Sequence, residues 1–522
     1  MAIKLRLWVL FVSTLILGSV ADIVADLNAA GIMSYGPSSE VYQAASIPCK
    51  ACRSGSLESA PTWNADVLYL PDNMRYAFKP AVIAFAKDTT EVSTTVKTSV
   101  ANGLKVVARS GGHSYIANGL GGKDGHVVID LSQMKTITYD PTSQKAIIGS
   151  GNRLGDIALG LDRHGRGIPH GTCPHVGIGG HTAFGGFGHA SRMWGLALDA
   201  INGFTAVLAN GTVVQASRSL NSELFWAMRG AGPSFGITTS IEFNTHPVPT
   251  ESYVYHINWQ MTATQVAIAI KNLQVFSQSP IPAELSAYIY LAKGNATGMV
   301  YVELTGGWYG SQEEFDRVIE PYLMTLPEPA FKGLNGNGTY IDALQSNADG
   351  GTLDTSTQSS KTFYAKSLMV PESEPLESAA LDALGSHLAY AGSKTSNDTY
   401  WFVMFELFGG TNSKINSVPV DDSAFARRDT LFTIQLYMNT VDSTTVFPTS
   451  GYMFLDGAVD SMVSNMPPSW NYGAYLNYPD DRLQIEKQHK LYFGDHYSRL
   501  HALKTRVDPD NVFGFPTSVN GE

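Results

Sequence analysis

Between residues 64 and 250, short apolar runs alternate with longer amphipathic ones. Residues 82–85 (VIAF), 105–108 (KVVA), 127–130 (VVID) and 146–149 (AIIG) have the length and apolar continuity of strands, whereas 89–102 and 152–163 repeat apolar residues at helical spacing. Two further strands, 205–208 and 213–216, flank Asn210 and Gly211, a dipeptide suited to a tight hairpin turn. This alternation predicts an α+β layer domain. Past Pro247 and Pro249 the pattern changes. Longer strands at 253–259, 286–291, 299–304, 400–407 and 431–437 are interspersed with helical stretches at 263–278, 312–323 and 374–390. They predict an antiparallel sheet with helices on one face.

One stretch fits neither period. Residues 165–199 read GRGIPHGTCPHVGIGGHTAFGGFGHASRMWGLALD, so rich in glycine that backbone can approach a flat or anionic ligand closely. A dinucleotide fingerprint fails here, because Gly177 and Gly179 are followed by Thr182 where a third glycine belongs and no clean helix is expected to open. His170, Cys173, His175 and His181 are candidate metal ligands, but one thiolate without a paired cysteine is a poor zinc set, and we expect no metal. A structural loop around an inert buried Cys173 is the plain alternative. Upstream, SGGHSY at 110–115 follows the strand 105–108 and presents amides and the His113 imidazole at its end.

Composition narrows the setting. At 522 residues the chain is long enough for two or three domains, and a net charge of −11 argues against nucleic acid as a partner. Residues 1–21 carry Lys4 and Arg6, an apolar run at 7–17 and the small-residue end Ser19-Val20-Ala21, the pattern of a secretory leader too short to read first as a membrane span. Sequons at Asn210, Asn295, Asn337 and Asn397 suit a secreted glycoprotein. There are three cysteines; if Cys49 and Cys52 close a small disulfide, Cys173 is left over and asks for a covalent explanation. A redox pair is the other use of Cys49 and Cys52.

SGGHSY, then HGTCPHVGIGGHTAFGGFG, then LFWAMRGAGPSFGI at 224–237, in this order, resemble the flavin-binding half of FAD-linked oxidases of the vanillyl alcohol oxidase type. Within them the chain is similar to the berberine bridge enzyme-like group and its fungal glucooligosaccharide and chitooligosaccharide oxidases. The resemblance covers nearly all of the chain beyond the leader. It implies an α+β fold with an FAD-binding domain of two α+β subdomains at 60–250, a substrate domain with a helix-backed antiparallel sheet at 251–470, and a return to the FAD-binding domain at 471–522, closing on DPDNVFGFP.

The resemblance also implies roles. The flavin is tethered twice, at its 8α carbon by His113 and at C6 by Cys173, in a bed formed by Ser110, Gly111, Gly112, Ser114, Gly177, Gly179, Gly180, Gly186 and Ile237. Arg229, ahead of the glycines at 230–236, is placed either at the pyrophosphate or in a surface ion pair. Tyr478 matches the general base that takes the substrate's hydroxyl proton, and Glu406 stands where the oligosaccharide oxidases carry an aspartate hydrogen-bonded to it. Gln435 matches a glutamine facing the sugar, with Thr433 two residues before it; some plant members carry a lysine near the Thr433 position. Tyr115 and Tyr475 border the substrate, Met404 replaces a polar sugar partner, and Glu303 lies on a strand of the same domain. Val176 matches the gate residue that admits oxygen. The expected protein is a secreted monomeric oxidase that turns the anomeric hydroxyl of an oligosaccharide into a lactone with O2 as acceptor. The alternative is a berberine bridge enzyme-like oxidase of an alcohol or secondary metabolite.

Overall fold

The computed structural model describes residues 20, 22–39, 42, 71–356 and 359–521. The leader, apart from Val20, and the cysteines Cys49 and Cys52 lie outside them. Among the described residues no helix is long and apolar enough to cross a membrane.

Two small sheets, with a two-residue pairing of Arg166–Gly167 and His246–Pro247 beside them, make up the first half. In one, Val82–Phe85, Val127–Asp130 and Val106–Arg109 run parallel, with Met33–Tyr35 antiparallel at the edge. All four residues of Val127–Asp130 are buried, as a central parallel strand covered on both faces requires. The edge strand precedes residue 60, where the resemblance implied the start of this unit. In the other, Ile137–Asp140, Lys145–Gly149, Ile237–Asn244, Ile201–Val207 and Val213–Ser217 form an antiparallel sheet in that order, and the Asn210-Gly211 turn joins the last two in sequence as expected. The helix Thr89–Ala101 starts where Asp88 accepts the Glu91 amide at 2.9 Å.

The second half is one seven-stranded antiparallel sheet, ordered Phe331–Gly338, Ser252–Thr262, Met299–Trp308, Tyr288–Lys293, Thr399–Leu407, Thr430–Thr440 and Phe363–Pro371. Its strands alternate cleanly between faces. Ile257, Leu291, Val302, Val403 and Leu436 point into the largest hydrophobic core, against the helices Ala263–Ser277, Gln312–Leu323 and Thr449–Val463. The other face looks into the cleft shared with the first half. The expected helix over 374–390 is shorter, Ser378–Ser386 followed by a π turn, because Leu376 spends both its amide and its carbonyl on the Gln274 side chain. The edge strand Phe331–Gly338 was not expected; its glycine-rich sequence has little strand propensity and is recruited by pairing with Ser252–Thr262.

The C-terminal segment returns to the first half. Lys504 is fully buried, with its ammonium on the Ser234 carbonyl at 2.7 Å and on the Asp508 carboxylate. Asp508 in turn accepts the Val512 and Phe513 amides at 2.8 and 3.0 Å, which forms the DPDNVF corner.

Candidate active site

A cleft of about 540 Å³ opens between the two halves, within the range of small-molecule sites. Its floor is made where the two glycine segments meet. A Cβ on Gly177 would sit 2.0 Å from the Gly111 nitrogen, and one on Gly111 would sit 2.3 Å from the Gly177 nitrogen, so the backbones touch only because both side chains are absent. Gly112 holds φ +73°, a left-handed conformation that glycine adopts without strain. Ser110 locks the pair: its hydroxyl donates to the Ser150 carbonyl at 2.6 Å and accepts from the Gly179 amide at 3.2 Å. A short helix, Ile178–Ala183, does open from Gly177, where the sequence promised none; the Asn152 carbonyl receives its first amide.

Two nucleophiles stand side by side on this floor. His113 Nε2 lies 3.5 Å from Cys173 Sγ and 3.4 Å from Asp72 Oδ1. Burial opposes ionisation of the thiol, but the charge and hydrogen bond of His113, with a hydrogen bond from His175, overcome it and bring Cys173 down to about 6. Burial also opposes an imidazolium, and the charges of Asp72 and Cys173 overcome it, raising His113 to about 9. His170 and His181 serve the loop itself, through the Gly171 carbonyl and amide. His181 Nε2 accepts the Gly171 amide at 2.9 Å, and burial lowers its pKa to about 3.

The far wall is the sheet face, where strand register sets rows of side chains. Glu406 lies between Tyr288 and Thr433, and Met404 between Tyr290 and Gln435. Tyr478 reaches this wall from the C-terminal segment, and its hydroxyl donates to Glu406 Oε1 at 3.0 Å. Burial pushes the Glu406 carboxyl up to about 8, against the opposing effect of that hydrogen bond. Burial, then the Glu406 charge, raises Tyr478 well above its ordinary value. Glu406 Oε2 and Thr433 Oγ1 are buried with no hydrogen-bond partner among the described residues. Tyr115 stacks on Tyr478 with ring centroids 5.8 Å apart and accepts from Gln435 Nε2 at 2.8 Å.

The cleft therefore gathers Ser110, Gly111, Gly112, His113, Ser114, Tyr115, Cys173, Val176, Gly177, Gly179, Gly180, Ile237, Met404, Glu406, Gln435, Tyr475 and Tyr478. Gly186 lies just outside the lining, and its amide donates to the Tyr475 hydroxyl at 2.9 Å. The Tyr475 oxygen, which also receives the Phe187 amide, is thus spent on holding the glycine loop. Arg229 is absent from the lining. It is 1% exposed, stacks on Phe225 and pairs with Asp422 at 2.9 Å, so neither the pyrophosphate nor the surface placement holds.

The FAD binding domain family matches residues 80–217, and the berberine and berberine like family matches 474–520. A carbohydrate oxidase of Microdochium nivale is 35% identical over 456 residues, covering 86% of this chain and 89% of that protein. The chain belongs to the berberine bridge enzyme-like FAD-linked oxidases. Among solved structures, the glucooligosaccharide oxidase of Acremonium strictum, described with a 6-S-cysteinyl, 8α-N1-histidyl FAD, matches with a TM-score of 0.84 at 29% identity over 95% of this chain and 98% of that one. A xylooligosaccharide oxidase of Myceliophthora thermophila C1 in complex with xylobiose matches with a TM-score of 0.83 at 30% identity, over 96% and 99%.

The residues of this berberine bridge enzyme-like oxidase fit FAD. Glycine backbone carpets the cleft floor, Val107, Leu131, Phe513 and Phe515 line an apolar part, and the half-buried Cys173 thiol and His113 ring stand together on the floor. Sequence reasoning missed Asp72, His256, Tyr288 and Tyr290, all at the site. Glu303 lines the cleft with both carboxylate oxygens occupied, by His256 Nδ1 at 2.6 Å and the Tyr301 hydroxyl at 2.7 Å. Once the strands were assigned, alternation was the available signal: 256 and 258, 288 and 290, 303 and 305 all share the face of Glu406.

Proposed function

We propose that this chain is a secreted carbohydrate oxidase that removes a hydride from the anomeric C1–OH of an oligosaccharide and releases a lactone, with FAD tethered to both His113 and Cys173. The Tyr478–Glu406 hydrogen bond, sharing one cleft with the His113–Cys173 pair, carries the reading. Bound FAD supplies the hydride acceptor and passes the electron pair to O2 as H2O2.

Tyr478 accepts the proton of the anomeric hydroxyl. A phenol raised above its ordinary pKa does not ionise near neutrality, so Tyr478 hands its own proton to Glu406 as it takes the substrate's. Glu406 works as the terminal acceptor only when ionised. Its extra methylene relative to aspartate is accommodated, since the carboxylate still meets the hydroxyl at 3.0 Å. Gln435 orients Tyr115 and offers its carbonyl side to the sugar. Val176 and Cys173 line the floor of the cleft, and the small Val176 side chain would leave O2 room to reach bound FAD there.

Met404 favours a second reading, in which the substrate is an alcohol or secondary metabolite, because it sets an apolar side chain between Tyr290 and Gln435. Anaerobic bleaching of the flavin by cello-, xylo- and chito-oligosaccharides, with aromatic alcohols alongside, separates the two. Rapid bleaching by a sugar, with peroxide on readmitting air, is expected. Bleaching by the aromatic alcohols alone would transfer the chemistry to the second reading.

A further inference from the structure

The mechanism above leaves Asp72 without a task, although it is buried and set against the proposed tether. Asp72 is 6% exposed, and Oδ1 stands 3.4 Å from His113 Nε2. Its position is over-determined. The Asp72 carbonyl accepts the Lys361 amide at 2.9 Å, and the Met74 amide returns to the Lys361 carbonyl at 2.8 Å. Between these bonds Asn73, fully buried, donates to the carbonyls of Tyr115 and Phe363 at 2.7 and 2.8 Å and accepts the Phe363 amide at 3.1 Å. Three residues on, Arg75 lies over the rings of Tyr76, Tyr364 and Tyr452 and pairs with Asp481. The segment is clamped to both halves of the site, with its one carboxylate against the histidine ring.

We infer that Asp72 is the positioning residue for covalent attachment of the flavin at His113, an inference that rests on the tether in the proposed function. Nε2 faces two acidic groups, Asp72 and Cys173, which hold its hydrogen, so when the charged ring gives up a proton to solvent it is the one on Nδ1 that leaves, and the lone pair is then on Nδ1. Nδ1 is thereby the nucleophile. The Nδ1–C8α bond forms as a C8α–H bond breaks. The proton and the electron pair of that bond pass to the ring system, which becomes a two-electron-reduced anion, and the imidazole, still carrying its Nε2 proton, becomes a cation. The Asp72 carboxylate stands against that new positive charge inside a buried site, where an uncompensated cation is costly. Dioxygen then takes the electron pair, with the proton the ring gained and the Nε2 proton of the imidazolium, as H2O2, the reaction the oxidase already performs.

The experiment uses the full-length chain with Cys173→Ala, so that His113 is the only tether, and follows the intact mass and the flavin left on the protein after acid precipitation. Cys173→Ala is expected to carry one covalent FAD. Adding Asp72→Ala or the isosteric Asp72→Asn is expected to slow attachment by at least about tenfold, while FAD still copurifies and is released by acid. Flavin absorbance of the native protein reads binding separately from attachment. Attachment at the Cys173→Ala rate in both double variants would overturn the inference. A Cys173→Ala protein that binds FAD but never gains its mass would overturn the tether at His113 itself, and the two failures are thus distinct.

Discussion

Replacing Glu406 by glutamine tests the proton relay directly. With its carboxyl held at about 8, Glu406 is ionised to roughly 1% at pH 6, 9% at pH 7 and half at pH 8. If Tyr478 passes its proton to that carboxylate, the rate of anaerobic flavin reduction at saturating sugar rises about ninefold from pH 6 to 7, about fivefold more to pH 8, and levels off above pH 9. Stopped-flow absorbance of the flavin reads this rate without interference from the O2 half-reaction. Glu406→Gln keeps the shape and a hydrogen-bond partner for Tyr478 but accepts no proton, so the rate falls by about 10² to 10⁴ and the slope between pH 6 and 8 disappears. Stability gives a second readout. The folded pKa lies above the ordinary 4.5, so the folded state holds the proton more tightly, and stability is full below pH 4.5 and lost as pH rises through about 8. The loss amounts to about 5 kcal/mol, and Glu406→Gln removes it. A wild-type reduction rate that is flat from pH 6 to 8, or a variant that keeps the slope, would refute the relay.

Three further outcomes follow from the geometry. Gln435→Ala strands the Tyr115 hydroxyl and removes a polar face from the cleft, so KM for the sugar should rise about tenfold with a smaller change in kcat, as steady-state peroxide assays would show. Gly177→Ala forces a Cβ to within 2.0 Å of the Gly111 nitrogen; thermal unfolding should shift downwards by the equivalent of about 1–3 kcal/mol or more, with loss of bound flavin. Lys504→Met leaves the Asp508 carboxylate buried without its cation, at a cost of about 3–5 kcal/mol in denaturant unfolding, although Lys504 does not itself line the cleft.

Much of the site was legible because its chemistry is written locally. His113 and Cys173 each sit inside a glycine-rich segment whose composition favours close backbone approach, and the structure shows that approach as contact between Gly111 and Gly177. Alternation likewise puts Glu406 with Met404 on one strand face and Gln435 with Thr433 on another, while the register of the two strands is what brings both pairs onto one face. What escaped was non-local. Arg229 beside a run of glycines looked like an anion contact, yet Asp422, 193 residues later in the chain, captures its guanidinium in the interior. Asp72 had no motif to mark it and became part of the site only because Asn73 stitches its segment to Tyr115 and Phe363. His256 meets Glu303 through the register of two strands, 47 residues apart. The sequence by itself determined the period of most elements and marked His113 and Cys173 through their glycine-rich segments, since both signals depend on neighbours along the chain. The tertiary structure alone decided the charges around them, because in a buried site a pKa and a tautomer are set by whichever group the fold brings within a few ångströms.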